Sequence, residues 1–312
     1  MYTQKQDSLP QKRCIAMPFI RHCTLCPRRC GADRTQHAGP CGGAGQVKLA
    51  RAALHQWEEP CISGKNGAGS VFFSGCSLGC VYCQNASISW ENFGKEISVE
   101  RLAEIFLELQ EQGAHNLDLV TPTHYRPWIL EALALIQKER RIPVVWNTSG
   151  YETLAGLKEL EGYVDVYLPD YKYADPARAA RYSRAADYPG VALAAVQEMF
   201  RQTGPAVFSS EGLMKKGVLI RHLVLPKGRF DSIAAMDLLS QALPPKQVRI
   251  SLMSQYVPMG QAVDFPEINR RVSTFEYQKV VEHALELGFE GYTQSRSAAQ
   301  TVYTPHFGLE GV

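Results

Sequence analysis

Cys76, Cys80 and Cys83 stand in the run Val71-Phe72-Phe73-Ser74-Gly75-Cys76-Ser77-Leu78-Gly79-Cys80-Val81-Tyr82-Cys83-Gln84-Asn85, a C-x3-C-x2-C spacing just after a short β-like stretch. Iron–sulfur cubes normally take four thiolates. A loop that offers three leaves one iron open, and an open metal position is what a catalytic site keeps. Gly75 and Gly79 let the backbone turn tightly and approach a bulky inorganic group. Cys80 and Cys83 can reach such a group from one turn, while Cys76 approaches from the strand end. The competing reading is a three-thiolate zinc loop completed by a distant His, or three buried thiols, since Cys-x2-Cys pairs are common in zinc sites.

A second constellation precedes it: Cys23-Thr24-Leu25-Cys26-Pro27-Arg28-Arg29-Cys30-Gly31, then Gly39-Pro40-Cys41-Gly42-Gly43, a C-x2-C-x3-C-x10-C spacing. Four thiolates on glycine- and proline-rich loops can close a metal site completely, and zinc and an auxiliary iron–sulfur cluster both suit that donor set. Free cysteines in a leader are the bland alternative. His22 and His55 are conceivable substitute ligands but read as ordinary polar residues. Cys14 and Cys61 are left over and read as free thiols.

All 9 cysteines fall between Cys14 and Cys83. A secreted disulfide protein does not crowd its cysteines so, whereas a cytosolic thiolate metalloprotein does. The 312-residue chain is 45% hydrophobic, enough for a sizeable core. With 33 basic against 31 acidic residues it carries no electrostatic footprint for nucleic acid. No apolar run approaches the ~18 residues of a membrane span. Residues 1–13 are polar, without a hydrophobic signal core, and read as a loosely docked tail. These features place the protein in the cytoplasm.

The elements that must position these cysteines alternate along the chain. Strands are expected at 69–74, 117–120, 143–146, 164–168, 218–225, 248–253 and 289–292. Helices are expected at 99–112, 128–139, 152–160, 176–186, 191–202, 233–243 and 274–287. Leu102, Ile105, Phe106 and Leu109 form an apolar helical stripe that Ser98 can cap and Gly113 can stop. Residues 208–216 could pair with the strand after them. The alternation predicts an α/β fold, a partial (βα)6 TIM-like barrel of parallel strands. Residues 1–68 would form a Cys-rich N-terminal metal-binding extension and residues 69–312 the barrel domain.

In such sheets chemistry gathers at the carboxyl ends of the strands. The three-cysteine loop follows the first strand. Thr121-Pro122-Thr123-His124-Tyr125 follows the second, Asn147-Thr148-Ser149-Gly150 the third, and Asp170-Tyr171-Lys172 the fourth. Arg221-His222 lies on the fifth, and Ser254-Gln255-Tyr256 follows the sixth. A zwitterionic ligand would find acceptors for hydroxyls and a cation for its carboxylate there. Singly, each of these residues could equally be a rim ion pair or a cap.

The cysteine loop resembles that of the radical S-adenosylmethionine (SAM) superfamily, and the span from about Cys23 to the C-terminus is similar to pyruvate formate-lyase-activating-enzyme-like proteins. The resemblance implies a [4Fe–4S] cluster on Cys76, Cys80 and Cys83 whose open iron chelates SAM, giving a 5′-deoxyadenosyl radical on reduction. It implies that Tyr82 lies near the adenine. In activating enzymes an Asp-Thr-Asn-Gly and an Asp-x-Lys motif help bind SAM and a monovalent cation. Asn147 with Thr148, and Asp170 with Lys172, match those positions, and Arg221 matches an arginine that contacts SAM. Where those enzymes carry Gly-Gly-Glu to hold the SAM amino group, this chain has Thr121-Pro122-Thr123-His124, so Thr123 and His124 would take that contact. Asn147 replaces an Asp, and a His after the sixth strand is replaced by Gln255 or Tyr256. The activity implied is hydrogen abstraction from a backbone glycine of a glycyl radical enzyme, with flavodoxin or ferredoxin as electron donor. Radical modification of a small molecule or a protein side chain is the alternative, and a non-enzymatic zinc-binding interaction protein a third.

Overall fold

The structure is a computed structural model in which residues 20–294 and 305–312 are described. The polar leader 1–13 and Cys14 lie outside the described residues. In chain order the elements are β1 (Val47–His55), α1 (Pro60–Ser63), β2 (Ala68–Phe73), α2 (Ala86–Ser89), β3 (Lys95–Ile97), α3 (Val99–Glu111), β4 (Leu117–Val120), α4 (Arg126–Leu135), β5 (Val144–Thr148), α5 (Leu154–Leu160), β6 (Val166–Pro169), α6 (Pro176–Ser183), α7 (Tyr188–Thr203), β7 (Val207–Phe208), β8 (Met214–Leu223), α8 (Arg229–Ala242), β9 (Arg249–Met253), α9 (Thr274–Glu286) and β10 (Gly291–Thr293).

Among the described residues one sheet runs in the order β10-β9-β8-β6-β5-β4-β2-β1-β3. From β2 to β10 every neighbouring pair is parallel. Strands follow each other in space as they do in sequence, each reached through a helical crossover, as in a barrel laid open. The expected α/β fold with a mostly parallel sheet is what the chain forms. Helices α3, α6 and α9 start at the expected residues 99, 176 and 274, while α4, α7 and α8 start earlier than expected, at Arg126, Tyr188 and Arg229, and α5 later, at Leu154. Ser98 accepts from the Arg101 N–H at the head of α3, and Ser273 with Glu276 closes a capping box on α9.

Two strands depart from expectation. β1 and β3 carry no strand signal in the sequence, and both join the sheet antiparallel, β1 against β2 and β3 against β1. β1 reads Val-Lys-Leu-Ala-Arg-Ala-Ala-Leu-His, without the alternation of a half-buried strand. Pairing with β2 overrides its weak local preference. Residues of the 1–68 segment thus share a ladder with the first barrel strand. At the other end of the chain, Leu309 N–H donates to Ala50 O and Ala52 N–H to Glu310 O. The 208–216 stretch does pair with the strand after it, as a β7–β8 hairpin, and β8 starts at Met214 rather than 218.

Alternation along the strands sorts side chains into an inner and an outer face. Val145, Val166, Leu168, Leu219, Met214 and Ala68 meet Cys61 and Ile62 of α1 in one inner apolar cluster. The outward neighbours Val144, Trp146, Tyr167 and Ile220 join the main core with Ile105, Phe106, Ile129 and Val196 of the helices. Further along the inner face come Ser70, Asp118 and Asn147, which are buried, and Asp170 and Arg221, which are half-buried, a polar layer above the apolar plug.

Candidate active site

The cysteine loop leaves β2 through Gly75, whose φ is +85°. A Cβ there would meet the Cys41 carbonyl oxygen at 2.1 Å, so only glycine fits. Next to it, Cys76 N–H donates to that same carbonyl at 2.9 Å. Each of the three sulfurs accepts a hydrogen bond. Leu78 N–H donates to Cys76 Sγ (3.4 Å), Ser183 Oγ to Cys80 Sγ (3.0 Å) and Ser89 Oγ to Cys83 Sγ (3.2 Å). Such donors favour thiolates. Burial works against them, pushing the Cys80 thiol up to about 12 and Cys83 upward. A bound metal reverses that balance, because a coordinating thiol is deprotonated. Tyr82 continues the Cys80 chain: its hydroxyl lies 2.6 Å from Tyr173 Oη, which lies 2.8 Å from Ser183 Oγ.

Cys76, Cys80, Cys83 and Tyr82 line a cavity of about 470 Å³ together with Asn147, Thr148, Asp170, Lys172 and Arg221. The charged set is tightly knit. Arg221 donates to Asp170 Oδ1 (2.9 Å), Asn147 Oδ1 (2.6 Å) and Glu58 Oε2 (3.1 Å), and Lys172 Nζ to Asp170 Oδ2 (2.5 Å). Asn147 Nδ2 donates in turn to Asp118, which also accepts from Ser70 Oγ at 2.8 Å. Burial alone would raise the Asp170 carboxyl, but Arg221 and Lys172 outweigh it and hold it below the usual range. Burial raises Asp118 to about 6 against the hydrogen bonds from Ser70 and Asn147 and the charge of Arg221. Burial, then the neighbouring Asp118, raises Glu58 well above the usual carboxylate range despite Arg221.

Thr123 and His124 stand elsewhere. They form a buried 3-10 turn behind the strand ends. Thr123 Oγ1 donates to the buried Glu152 carboxylate at 2.7 Å, which also accepts from Thr148 Oγ1 and Trp146 Nε1. His124 Nε2 sits 2.8 Å from Ser74 O, and burial lowers it to about 4. At this strand end the cavity is lined by Thr121, held at φ +60°. After the sixth parallel strand Gln255 lines the cavity, whereas Tyr256 is buried and donates to Ile268 O. Glu58 is a cavity residue that sequence reasoning misses. Its one signal is an acidic pair, Glu58-Glu59, immediately before the Pro60 that starts α1.

Cys23, Cys26, Cys30 and Cys41 line a second cavity of about 530 Å³, whose wall includes Cys76 and His124. His22 packs its ring near Gly31, and His55 lines the first cavity. Cys61 is buried in the inner apolar cluster.

The sequence profile of the radical SAM superfamily matches residues 70–209. An uncharacterized protein of Methanocaldococcus jannaschii is 30% identical over 294 residues, covering 90% of this chain and 79% of its own. Streptococcus suis SuiB, in a crystal structure bound to S-adenosylmethionine, superposes with a TM-score of 0.50 at 12% identity, over 70% of this chain and 48% of its own. A radical SAM methyltransferase from Sphaerobacter thermophilus superposes with a TM-score of 0.49 at 15% identity, over 73% of this chain and 66% of its own. This chain therefore spans about half the length of SuiB and just under two thirds of the methyltransferase.

The chain belongs to the radical SAM superfamily. Membership implies a [4Fe–4S] cluster and SAM. The donor set fits: three hydrogen-bonded thiols share one cavity with a cationic and hydroxyl-bearing strand-end layer. No described helix is long and apolar enough to cross a membrane.

Proposed function

We propose that this protein directs SAM-derived radical chemistry at a backbone glycine of a partner enzyme, drawing electrons from flavodoxin or ferredoxin. The observation that carries the reading is the sharing of one 470 Å³ cavity by Cys76, Cys80 and Cys83 with Asn147, Asp170, Lys172 and Arg221. When bound and reduced, the cluster supplies the electron that breaks the SAM sulfonium bond. The chain's own residues bind and orient. Lys172 and Arg221 offer cations to a carboxylate, and Thr121 and Asn147 offer polar groups at the strand ends. Ser183, Ser89 and the Leu78 N–H fix the three sulfurs from behind. Tyr82, held by Tyr173 and by an edge contact with Tyr256, presents an aromatic wall next to the last cysteine.

A second reading, modification of a small molecule or a protein side chain, is favoured by Glu58. It adds to the cavity a buried carboxyl that can meet an amine or hydroxyl, which a backbone glycine does not carry.

The test is anaerobic reconstitution, dithionite reduction and assay of 5′-deoxyadenosine from SAM. Wild type should form it, and Cys76→Ala, Cys80→Ala or Cys83→Ala should abolish it; retained cleavage in any of the three would sink the site assignment. Host protein labelled with deuterium at glycine Cα should pass label into the 5′-deoxyadenosine. Cleavage without label transfer would move the reading to the second substrate class.

A further inference from the structure

We infer that Cys23, Cys26, Cys30 and Cys41 hold a second iron–sulfur cluster, seated directly behind the loop of the first. This goes beyond the catalytic reading above and does not depend on it.

The fold gathers all four thiols around one cavity of about 530 Å³. Cys23 N–H pairs with Ala32 O, and Gly31 N–H with Cys23 O, which folds the first three cysteines into a knot. A turn from Gly39 to Gly43 carries the fourth. Cys30 Sγ and Cys41 Sγ lie 3.6 and 3.7 Å from where a Cβ on Gly39 would stand, so this glycine leaves the space between two thiols open.

The same device appears at both cysteine sets. The backbone N–H two residues on points back at the sulfur at Cys26 (from Arg28) and Cys41 (from Gly43). It does so at Cys76 (from Leu78) and Cys83 (from Asn85) as well. N–H···S hydrogen bonds support and tune cluster thiolates.

Charge points the same way. Arg28 and Arg184 line the cavity, and no Asp or Glu does among the described residues. Arg34 is 2% exposed, stacks on Trp128 and Tyr125 and donates to His124 O, yet its Nε and Nη2 find no partner among the described residues. It stands close enough to Cys41 for its charge to act on that sulfur. A buried guanidinium without a carboxylate calls for an anion. A cluster held by four thiolates is one.

The size of the cavity favours a cluster over a single ion, because the four cysteines stand around a space of about 530 Å³. A lone zinc needs four sulfurs at about 2.3 Å. A cube takes one thiolate at each corner, which suits thiols standing around a cavity.

The second centre is fastened to the first loop. Arg28, between Cys26 and Cys30, donates to Ser77 O (3.0 Å), Leu78 O (3.1 Å), Ser183 O (2.8 Å) and Arg184 O. Cys41 O receives the Cys76 N–H.

The experiment is metal and sulfide analysis with electron paramagnetic resonance on the reconstituted full chain. The triple variant C76A/C80A/C83A reads the second site alone. It should hold about four irons with matching sulfide, and a reduced-cluster signal that SAM leaves unchanged. One zinc without sulfide, or no metal, in a folded triple variant overturns the inference. The variant C26S/C41S tests it from the other side. Wild type should hold about eight irons and this variant about four, still perturbed by SAM. Wild type with only about four irons, all perturbed by SAM, overturns it too. Eight irons without SAM cleavage would defeat the catalytic reading and leave this one standing.

Discussion

Glu58 Oε2 lies 3.1 Å from Arg221 Nη1, across 163 residues of sequence. One partner sits between β1 and α1, and the other is on the inner face of β8. The contact ties the segment before the barrel to the cation that also holds Asp170 and Asn147. Burial and the neighbouring Asp118 raise Glu58, while the Arg221 charge works against them. Glu58→Gln keeps an oxygen that can accept from Arg221 and should cost less than Glu58→Ala, which removes that acceptor and should cost about 1–3 kcal/mol. Denaturant titrations of the two variants check this, and equal losses would show that the acceptor oxygen contributes nothing.

Gly75→Ala should empty the first cysteine set. The new methyl would stand 2.1 Å from the Cys41 carbonyl at a φ of +85°. The loop can accept it only by moving Cys76. Iron content should fall by about half, with loss of the SAM-responsive signal. Undiminished iron would show that the loop has slack that this packing denies.

Arg28→Ala removes one donor from four backbone carbonyls. No Asp or Glu carboxylate is hydrogen-bonded to Arg28 among the described residues, so the loss is of fastening rather than of an ion pair. At about 1 kcal/mol for each bond, partly replaced by water, a loss of about 2–4 kcal/mol is expected. Calorimetry of the apoprotein measures it directly, and Arg28→Lys should recover little because one ammonium cannot span the set.

The pH dependence of stability has two opposed parts. Burial lowers His55, His124 and His222 to about 4. The unfolded chain binds those protons first, so their contribution is full above about 6.5 and is lost as pH falls toward 4. Asp118 is raised to about 6, so in its window the folded state holds the extra proton, and its contribution falls as pH rises from about 4 to 6. Glu58, Glu152 and Asp231 are raised as well and add to the Asp118 part, whereas Asp170, Glu198, Glu267 and Glu276 are lowered and add to the histidine part. Asp118→Asn removes one falling contribution, so from pH 4 to 6 the variant's stability should change with a more positive slope than that of wild type. Urea midpoints at pH 4.5, 5.5 and 7 test the sign of that difference, and a slope no more positive than that of wild type would contradict it.

What local order carries was legible without the fold. The C-x3-C-x2-C loop, the βα alternation and the polar residues just past each strand are properties of spacing and period. A parallel sheet converts them into a site almost automatically, because strand ends share one rim. Asn147, Asp170, Lys172 and Arg221 meet for that reason. The four earlier cysteines were visible as a set because spacing alone groups them.

Tertiary structure alone decided the rest. β1 has no strand period of its own and becomes a strand only where β2 supplies a ladder. Glu58 reaches the site because that ladder carries its segment over the inner face. Thr123 and His124 read as ligand contacts, yet Glu152 and Ser74 O claim them, partners that no short window of sequence contains. Whether a polar side chain faces a cavity or a buried neighbour depends on which distant group satisfies it first. Spacing along the chain sets which chemistry is available, and burial with its long-range partners sets which of those groups are left to do it.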